Sequence, residues 1–394
     1  MNQISLIIPS HNNLRHLKNA YESIRKHAPQ DTEIILIDDA STDETYKWIK
    51  DQQINDKNLV ISSNTERLGH TILYDTGIEM STNKIVGILH ADMIIGPNYI
   101  KNMIKHLKPG TVVAGTRIEP PLHPSGNEKI IENFGLDFND LDIEGFESFC
   151  LRMQKMFKGK TSKGMFAPWI IYKEDFINMG GHDHIFAPFP YEDSDIFERW
   201  ILSGYNLIQS RDAFVYHLTC RGHRWTSEIG KDDDYFKKAS QRAAREYLRK
   251  WGSWIKNDEY QHPIIKPKYN IGYVINGNCG LNGLATLEPM CDNIYIEDET
   301  SNIIKDYLKY EQPNTKFNLS NRVKHINEEK INDIIIEFNF KSINENYFKL
   351  LQQLPEIIKE SGEVGIMELE IFKLTINSMT RYEKEMTKPI YKIA

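Results

Sequence analysis

Short apolar runs and stretches of helical period alternate through the first hundred residues. Ile4-Ser5-Leu6-Ile7-Ile8, Glu33-Ile34-Ile35-Leu36-Ile37, Leu59-Val60-Ile61-Ser62 and Ile85-Val86-Gly87-Ile88-Leu89 are each bounded by polar or turn-forming residues. Runs of that length, rich in β-branched residues, predict buried strands. Between them, Leu14, Leu17, Tyr21 and Ile24 share one helical face, a second helix carries Tyr46, Trp48 and Ile49, and a third runs from Thr71 to Met80. Such strand-helix repeats connect by right-handed crossovers and lay the strands parallel in a doubly wound α/β sheet. All four strand ends then line one edge, where open α/β sheets bind their ligands.

The pattern continues with a helix over 99–107, a strand at Thr111-Val112-Val113-Ala114-Gly115-Thr116, and a stretch over 118–163 that Pro120, Pro121 and Pro124 interrupt. A strand within Gly164 to Tyr172, a turn at Gly180-Gly181-His182-Asp183, a helix opening at Tyr191-Glu192-Asp193 and a strand at Ala213-Phe214-Val215-Tyr216-His217 follow. A long helix over 232–252 starts with three aspartates at its positive end and finishes with Arg249 and Lys250 at its negative end. These elements predict a catalytic-sized domain over residues 1–256 and a linker over 257–268, marked by Pro263 and Pro267. A smaller Rossmann-like α/β module over 269–394 completes the chain, with a glycine-rich turn at Asn276-Gly277-Asn278-Cys279-Gly280 after its first strand and Glu297 after its second. We read it as an accessory module through which the chain can form a homo-oligomer.

Composition narrows the class. The 394 residues carry a formal charge of −7, which leaves no basic footprint for nucleic acid and no polybasic face for a membrane. The four cysteines show no metal-ligand spacing, favouring a reducing compartment. No apolar run is long enough to span a bilayer and the N-terminus lacks a leader pattern, so a soluble, cytoplasmic protein is expected.

The strand ends carry the candidate chemistry. The second strand runs into Asp38-Asp39-Ala40-Ser41-Thr42-Asp43, and carboxylates so crowded need hydrogen bonds or cations to hold them. Asp43 is accounted for by helix capping, Asp39 less so. The fourth strand ends in His90-Ala91-Asp92. A carboxylate there suits a metal or a phosphate-bearing ligand.

Pro9-Ser10-His11-Asn12, Asp38-Asp39-Ala40-Ser41-Thr42-Asp43, Arg67-Leu68-Gly69 and His90-Ala91-Asp92, in that order on successive strands, resemble the family-2 glycosyltransferases of the GT-A fold over roughly residues 3 to 225. The resemblance implies a nucleotide-sugar donor, with UDP as the nucleotide. It places Ser10, His11 and Asp39 around base and ribose, Arg67 near the base or pyrophosphate, Pro9, Asn12 and Gly69 with them in the donor site, and Asp92 on a divalent ion, Mn2+ or Mg2+, bridging the diphosphate. His11 stands where the family usually has tyrosine, and His90-Ala91-Asp92 keeps only the last carboxylate of the aspartate-any-aspartate metal motif.

Further along, Gly180-Gly181-His182-Asp183 and Glu192-Asp193 resemble the family's acceptor-side segments. The resemblance implies Asp193 as general base on the acceptor hydroxyl of a glycan or glycoconjugate, with Glu192, Asp183 and Trp169 near the acceptor or sugar. It also implies His217 as a further metal ligand, with His90 as a secondary one. Arg221, His223 and Arg224 supply positive charge for the diphosphate. The activity implied is inverting, metal-assisted transfer. Two alternatives accompany it: a weakened nucleotide-sugar- or glycan-binding protein, suggested by the incomplete metal motif, and a bifunctional enzyme with a methyltransferase-like C-terminal half.

Overall fold

The computed structural model describes residues 3–222, 224–226, 228–298 and 302–393. The chain divides into two compact units, one of residues 1–240, 257–264 and 392–394, the other of residues 241–256 and 265–391. The sequence reading put the boundary at residue 256, whereas the compact units part inside the long helix. Packing and charge both bear on this, since Leu248 joins the second unit's apolar core. The helix's second half carries Arg249, which is buried and bonded to Glu246, Glu288 and Glu311 of the second unit.

In the first unit β1 (Ile4–Ser10), α1 (Leu14–His27), β2 (Glu33–Asp38), α2 (Thr45–Asn55), β3 (Leu59–Ser63), α3 (His70–Met80) and β4 (Ile85–Ile88) follow the predicted alternation. β1 pairs parallel with both β2 and β4, and β2 with β3. Leu17 and Ile24 of α1 pack with Ile34 and Leu36 on one face of the sheet, while Leu73 and Ile78 of α3 pack with Ile7 and Ile35 on the other. Burial on both faces is why these strands read as continuous apolar runs.

The rest of the sheet is less regular. β5 (Met93–Ile95), α4 (Tyr99–Ile104), β6 (Thr111–Glu119), β7 (Lys129–Ile131), α5 (Ile143–Phe157), β8 (Thr161–Ser162), β9 (Trp169–Tyr172), α6 (Lys173–Asn178), α7 (Glu192–Leu202), β10 (Asn206–His217) and α8 (Asp234–Trp251) complete the unit. The order across the sheet is β3-β2-β1-β4-β9-β6-β10-β5, with β7 beside β6 and β8 beside β10. β9 runs antiparallel between β4 and β6, and β5 antiparallel to β10. Gly87 makes the first of these contacts possible, because a Cβ there would lie 2.8 Å from Ile170 Cγ2. Three elements differ from expectation. β6 runs on to Glu119, β10 begins at Asn206 and passes an irregularity between Gln209 and Phe214, and β5 is too short to stand out by periodicity.

The second unit holds β11 (Ile271–Asn276), α9 (Gly280–Leu287), β12 (Asn293–Ile296), α10 (Ile303–Glu311), α11 (Leu319–Arg322), β13 (Val323–His325), β14 (Ile334–Asn339), α12 (Glu345–Ser361), β15 (Gly365–Leu369) and β16 (Phe372–Ile376). Its sheet has the order β13-β12-β11-β14-β16-β15, the first four strands parallel and the last two an antiparallel hairpin. The chain is thus an α/β protein with two mixed sheets. Among the described residues no helix is long and apolar enough to cross a membrane.

Candidate active site

The parallel strands deliver their polar ends to one cleft, lined by Pro9, Ser10, His11, Asp39, Arg67, Gly69 and Asp92, all predicted donor-binding residues, together with His70, Tyr74, His90 and Phe189. Asn12 and Arg221 line an adjoining cleft of about 490 Å³.

Much of the first wall is held by the second strand's aspartates. Asp39 accepts hydrogen bonds from the backbone N–H groups of Leu68 and Gly69, each at 2.8 Å, so both carboxylate oxygens fix the Arg67 loop. His11 Nδ1 donates to the Asp39 carbonyl at 2.6 Å, which orients its ring. Asn12 accepts from the N–H groups of Thr42 and Asp43, tying the two strand-end loops together. Gly69 has φ +86°, and a Cβ on it would fall 2.3 Å from Pro188, so only glycine brings the two loops this close. Arg67 stacks over Tyr235, 4.4 Å from the ring centroid, and its Nε is buried without a partner. Ser10 Oγ is buried and unpartnered too. A buried polar atom left without a partner costs about 1–3 kcal/mol, and both residues line the cleft.

The second wall depends on an antiparallel pairing. Met93, next to Asp92, stands opposite His217 where β5 meets β10, and this register carries the two side chains together. Asp92 Oδ1 lies 3.7 Å from His217 Nε2, and Asp92 Oδ2 accepts the Arg221 N–H at 3.1 Å. His90, Asp92 and His217 each offer one ligand atom, all within 4.8 Å of one another. Burial alone would raise the Asp92 carboxyl, but the imidazoles of His217 and His90 hold it below its ordinary value. Two imidazoles and one carboxylate fit a divalent transition metal such as Mn2+ better than Mg2+, which prefers oxygen ligands.

On the acceptor side, α7 opens with Glu192 and Asp193. His70 Nε2 bonds Glu192 Oε1 at 2.6 Å. Burial would raise the Glu192 carboxyl, yet the charge and hydrogen bond of His70 bring it down to about 2. The same pairing raises His70 against its own burial. Asp193 is half-buried, and burial followed by the Glu192 charge pushes it up to about 7. Its neighbour Tyr74 is raised well above its ordinary value by burial and by the charges of Asp193, Glu192 and Asp92.

Several predicted residues lie elsewhere. Trp169 is fully buried, its ring 5.1 Å from Trp200 and 5.9 Å from Phe176, so it is a core residue and not a sugar platform. Truncating it to alanine is expected to destabilise the first unit by about 3–5 kcal/mol, measured as a shift in urea unfolding. Asp183 is fully buried and accepts from the Ile185 N–H, which makes it a cap of a tight turn and removes it from acceptor contact. Glu192 is bound to His70, so it acts on its neighbours' charge before it can reach a sugar. Arg224 spends its charge on Asp232, at 2.6 Å, and lines neither cleft. His223 lies outside the described residues. Conversely, His70, Tyr74, Phe189 and Glu119 belong to the site and were not singled out from the sequence. For Glu119 a signal existed, since it is a carboxylate ending an apolar strand.

Residues 5–171 match the model of the glycosyl transferase family 2. An uncharacterized glycosyltransferase of Haemophilus influenzae is 28% identical over 105 residues, 27% of this chain and 32% of that protein. The glycosyltransferase GlyG of Streptococcus pneumoniae serotype 4 is 27% identical over 114 residues, 28% and 38% of the two chains. The chain thus spans about a third of the length of these curated relatives. Among solved structures, a mannosyltransferase from Pyrobaculum calidifontis, in complex with GDP-Man and Mn2+, has a TM-score of 0.42 at 17% identity, covering 62% of each chain. GalNAc-T7 with UDP, GalNAc and Mn2+ has a TM-score of 0.47 at 18% identity, covering 66% of this chain and 48% of that one. Over residues 5–171 the chain is a glycosyl transferase family 2 domain, of the GT-A type.

Proposed function

We propose that the chain is an inverting glycosyltransferase that moves a sugar from a nucleoside diphosphate, UDP, to a hydroxyl of a glycan or glycoconjugate. One observation carries the reading: a cation-suited His-Asp-His group, of which His90 and Asp92 line the cleft, is accompanied by a half-buried carboxylate, Asp193, raised to about 7 and acting by its charge on the cleft residues His70 and Tyr74. Asp193 takes the proton of the acceptor hydroxyl as that oxygen attacks the anomeric carbon from the face opposite the leaving group. The bond from that carbon to the donor's phosphate oxygen breaks, and the diphosphate departs with the electron pair. A divalent ion held by Asp92, His217 and His90 would supply charge stabilisation for that leaving group. Ser10 Oγ and Arg67 Nε, both unpartnered, are free to hydrogen-bond the nucleotide, while Glu192, kept ionised by His70, sustains the proton affinity of Asp193.

The test is incubation with a panel of sugar nucleotides, candidate acceptors and either Mn2+ or Mg2+, reading nucleoside diphosphate release. Release from a UDP-sugar that needs acceptor and is greater with Mn2+ is expected. Donor binding with no release from any donor and acceptor pair would overturn the proposal in favour of a binding protein. The base assignment also sets a pH dependence. Asp193 must be unprotonated to act, so kcat/KM should climb about tenfold per pH unit below 7 and level off above it; a profile flat between pH 5.5 and 8 would remove Asp193 from the role.

A further inference from the structure

His217 is held from behind. Its Nδ1 lies 3.0 Å from Glu119 Oε1, while its Nε2 faces Asp92. A carboxylate bonded to Nδ1 fixes the proton there, because an ionised carboxylate only accepts. Nε2 is then the nitrogen turned to the Asp92 side, where it can offer its lone pair to a cation.

Glu119 is itself fixed. Arg117 donates to its Oε1 at 2.7 Å and Lys129 to its Oε2 at 2.8 Å. Arg117 also reaches Glu128 Oε1 at 3.3 Å and stacks on Phe166, 3.8 Å from the ring centroid. The side chains of Arg117, Glu119, Glu128 and Lys129 are more than nine-tenths buried, Glu119 to all but 2% of its side-chain surface. Taking a carboxylate out of water is costly unless charged partners and hydrogen bonds in good geometry compensate it. Here two cations and an imidazole meet a single one, at the end of the strand next to β10.

We infer that Glu119 is a positioning residue for the metal site, orienting His217 through Nδ1 so that Nε2 can join Asp92 on one divalent ion. The inference rests on the proposed metal-assisted function and adds to it a residue that touches neither ion nor donor. Carboxylates in this position are worth about 10–100-fold in metal affinity. Arg117 and Lys129 act one step further back, by holding Glu119.

The test is Mn2+ binding to the full chain with UDP present, followed by the electron paramagnetic resonance of free Mn2+. Glu119→Gln keeps the shape and a hydrogen-bond acceptor but loses the charge, and is expected to weaken binding about 10–100-fold. Glu119→Asp keeps the buried charges balanced while drawing the carboxylate back by one methylene, so it should weaken binding even if the glutamine variant fails to fold. In a double-mutant cycle, Glu119→Gln should add no further loss in a His217→Ala background, because its effect passes through that ring. Nitrogen NMR of His217 should show the Nδ1–H tautomer in the native protein and a mixture in Glu119→Gln. Native-like Mn2+ affinity in both Glu119 variants, or losses that simply add in the double variant, would overturn the inference while leaving the function intact. A native protein that binds no Mn2+ would overturn it along with the metal-assisted reading.

Discussion

Asp193→Asn should lower transfer by about 10²–10⁴-fold, the range general-base catalysis commonly supplies, while leaving donor affinity within about twofold of the native protein. The two effects separate because Asp193 is on the α7 side of the site, beside Glu192, whereas the predicted donor contacts come from β1, β2, the Arg67 loop and Asp92. Asparagine has nearly the same shape and removes a charge that burial and Glu192 both disfavour. The sign for stability follows: a carboxyl raised in the folded state is most favourable below its unfolded value, and that contribution is lost as pH rises through about 7. The asparagine variant should therefore unfold no more easily than the native protein at pH 8. Steady-state kinetics at saturating acceptor, donor titration and thermal unfolding at pH 8 check the three parts. Near-native transfer by a folded variant would place the base on another residue.

Asp92→Asn carries the second large effect. The amide can still accept from the Arg221 N–H, so the local backbone should keep its course. What it loses is the charge that faces His217 and His90. Metal ions provide several kcal/mol of stabilisation to a departing diphosphate, and 1.36 kcal/mol is tenfold in rate, so transfer should fall at least about 100-fold. Mn2+ affinity in the presence of UDP should fall with it, and a chelator should reduce the native enzyme to a similar level. Calorimetric titration of Mn2+ and the rate with and without chelator test this. A variant with native Mn2+ affinity and native rate would exclude Asp92 as the ion's ligand.

Comparison of particular residues separates two kinds of information in the chain. Ser10, Asp39 and Asp92 were readable as one edge because buried parallel strands announce themselves as apolar runs, and right-handed crossovers leave their ends on the same side. Arg67 and Gly69 were readable from their order on that frame. Local patterning also told helix from strand at α1, α3 and α8. None of that required knowing which strand lay beside which.

What the tertiary structure decided was whatever depends on contacts between segments far apart. β5 has three residues, too few for a period to register, yet its antiparallel pairing with β10 is what brings His217 to Asp92. Glu119 looked like an ordinary strand end until Arg117, Lys129 and His217 closed around it. Trp169 and Asp183 had the right chemistry for a sugar site, and packing against Trp200 and within a tight turn took them into the core. Glu192 and Asp193 are adjacent carboxylates whose proton affinities diverge because Glu192 is hydrogen-bonded to His70. By itself the sequence determined the sheet, its binding edge and the residue types along it, since periodicity and strand length act locally. Which carboxylate is paired, which has its proton affinity raised and which histidine faces Asp92 were settled by folding, because burial and charge pairing act between residues that only the closed structure makes neighbours.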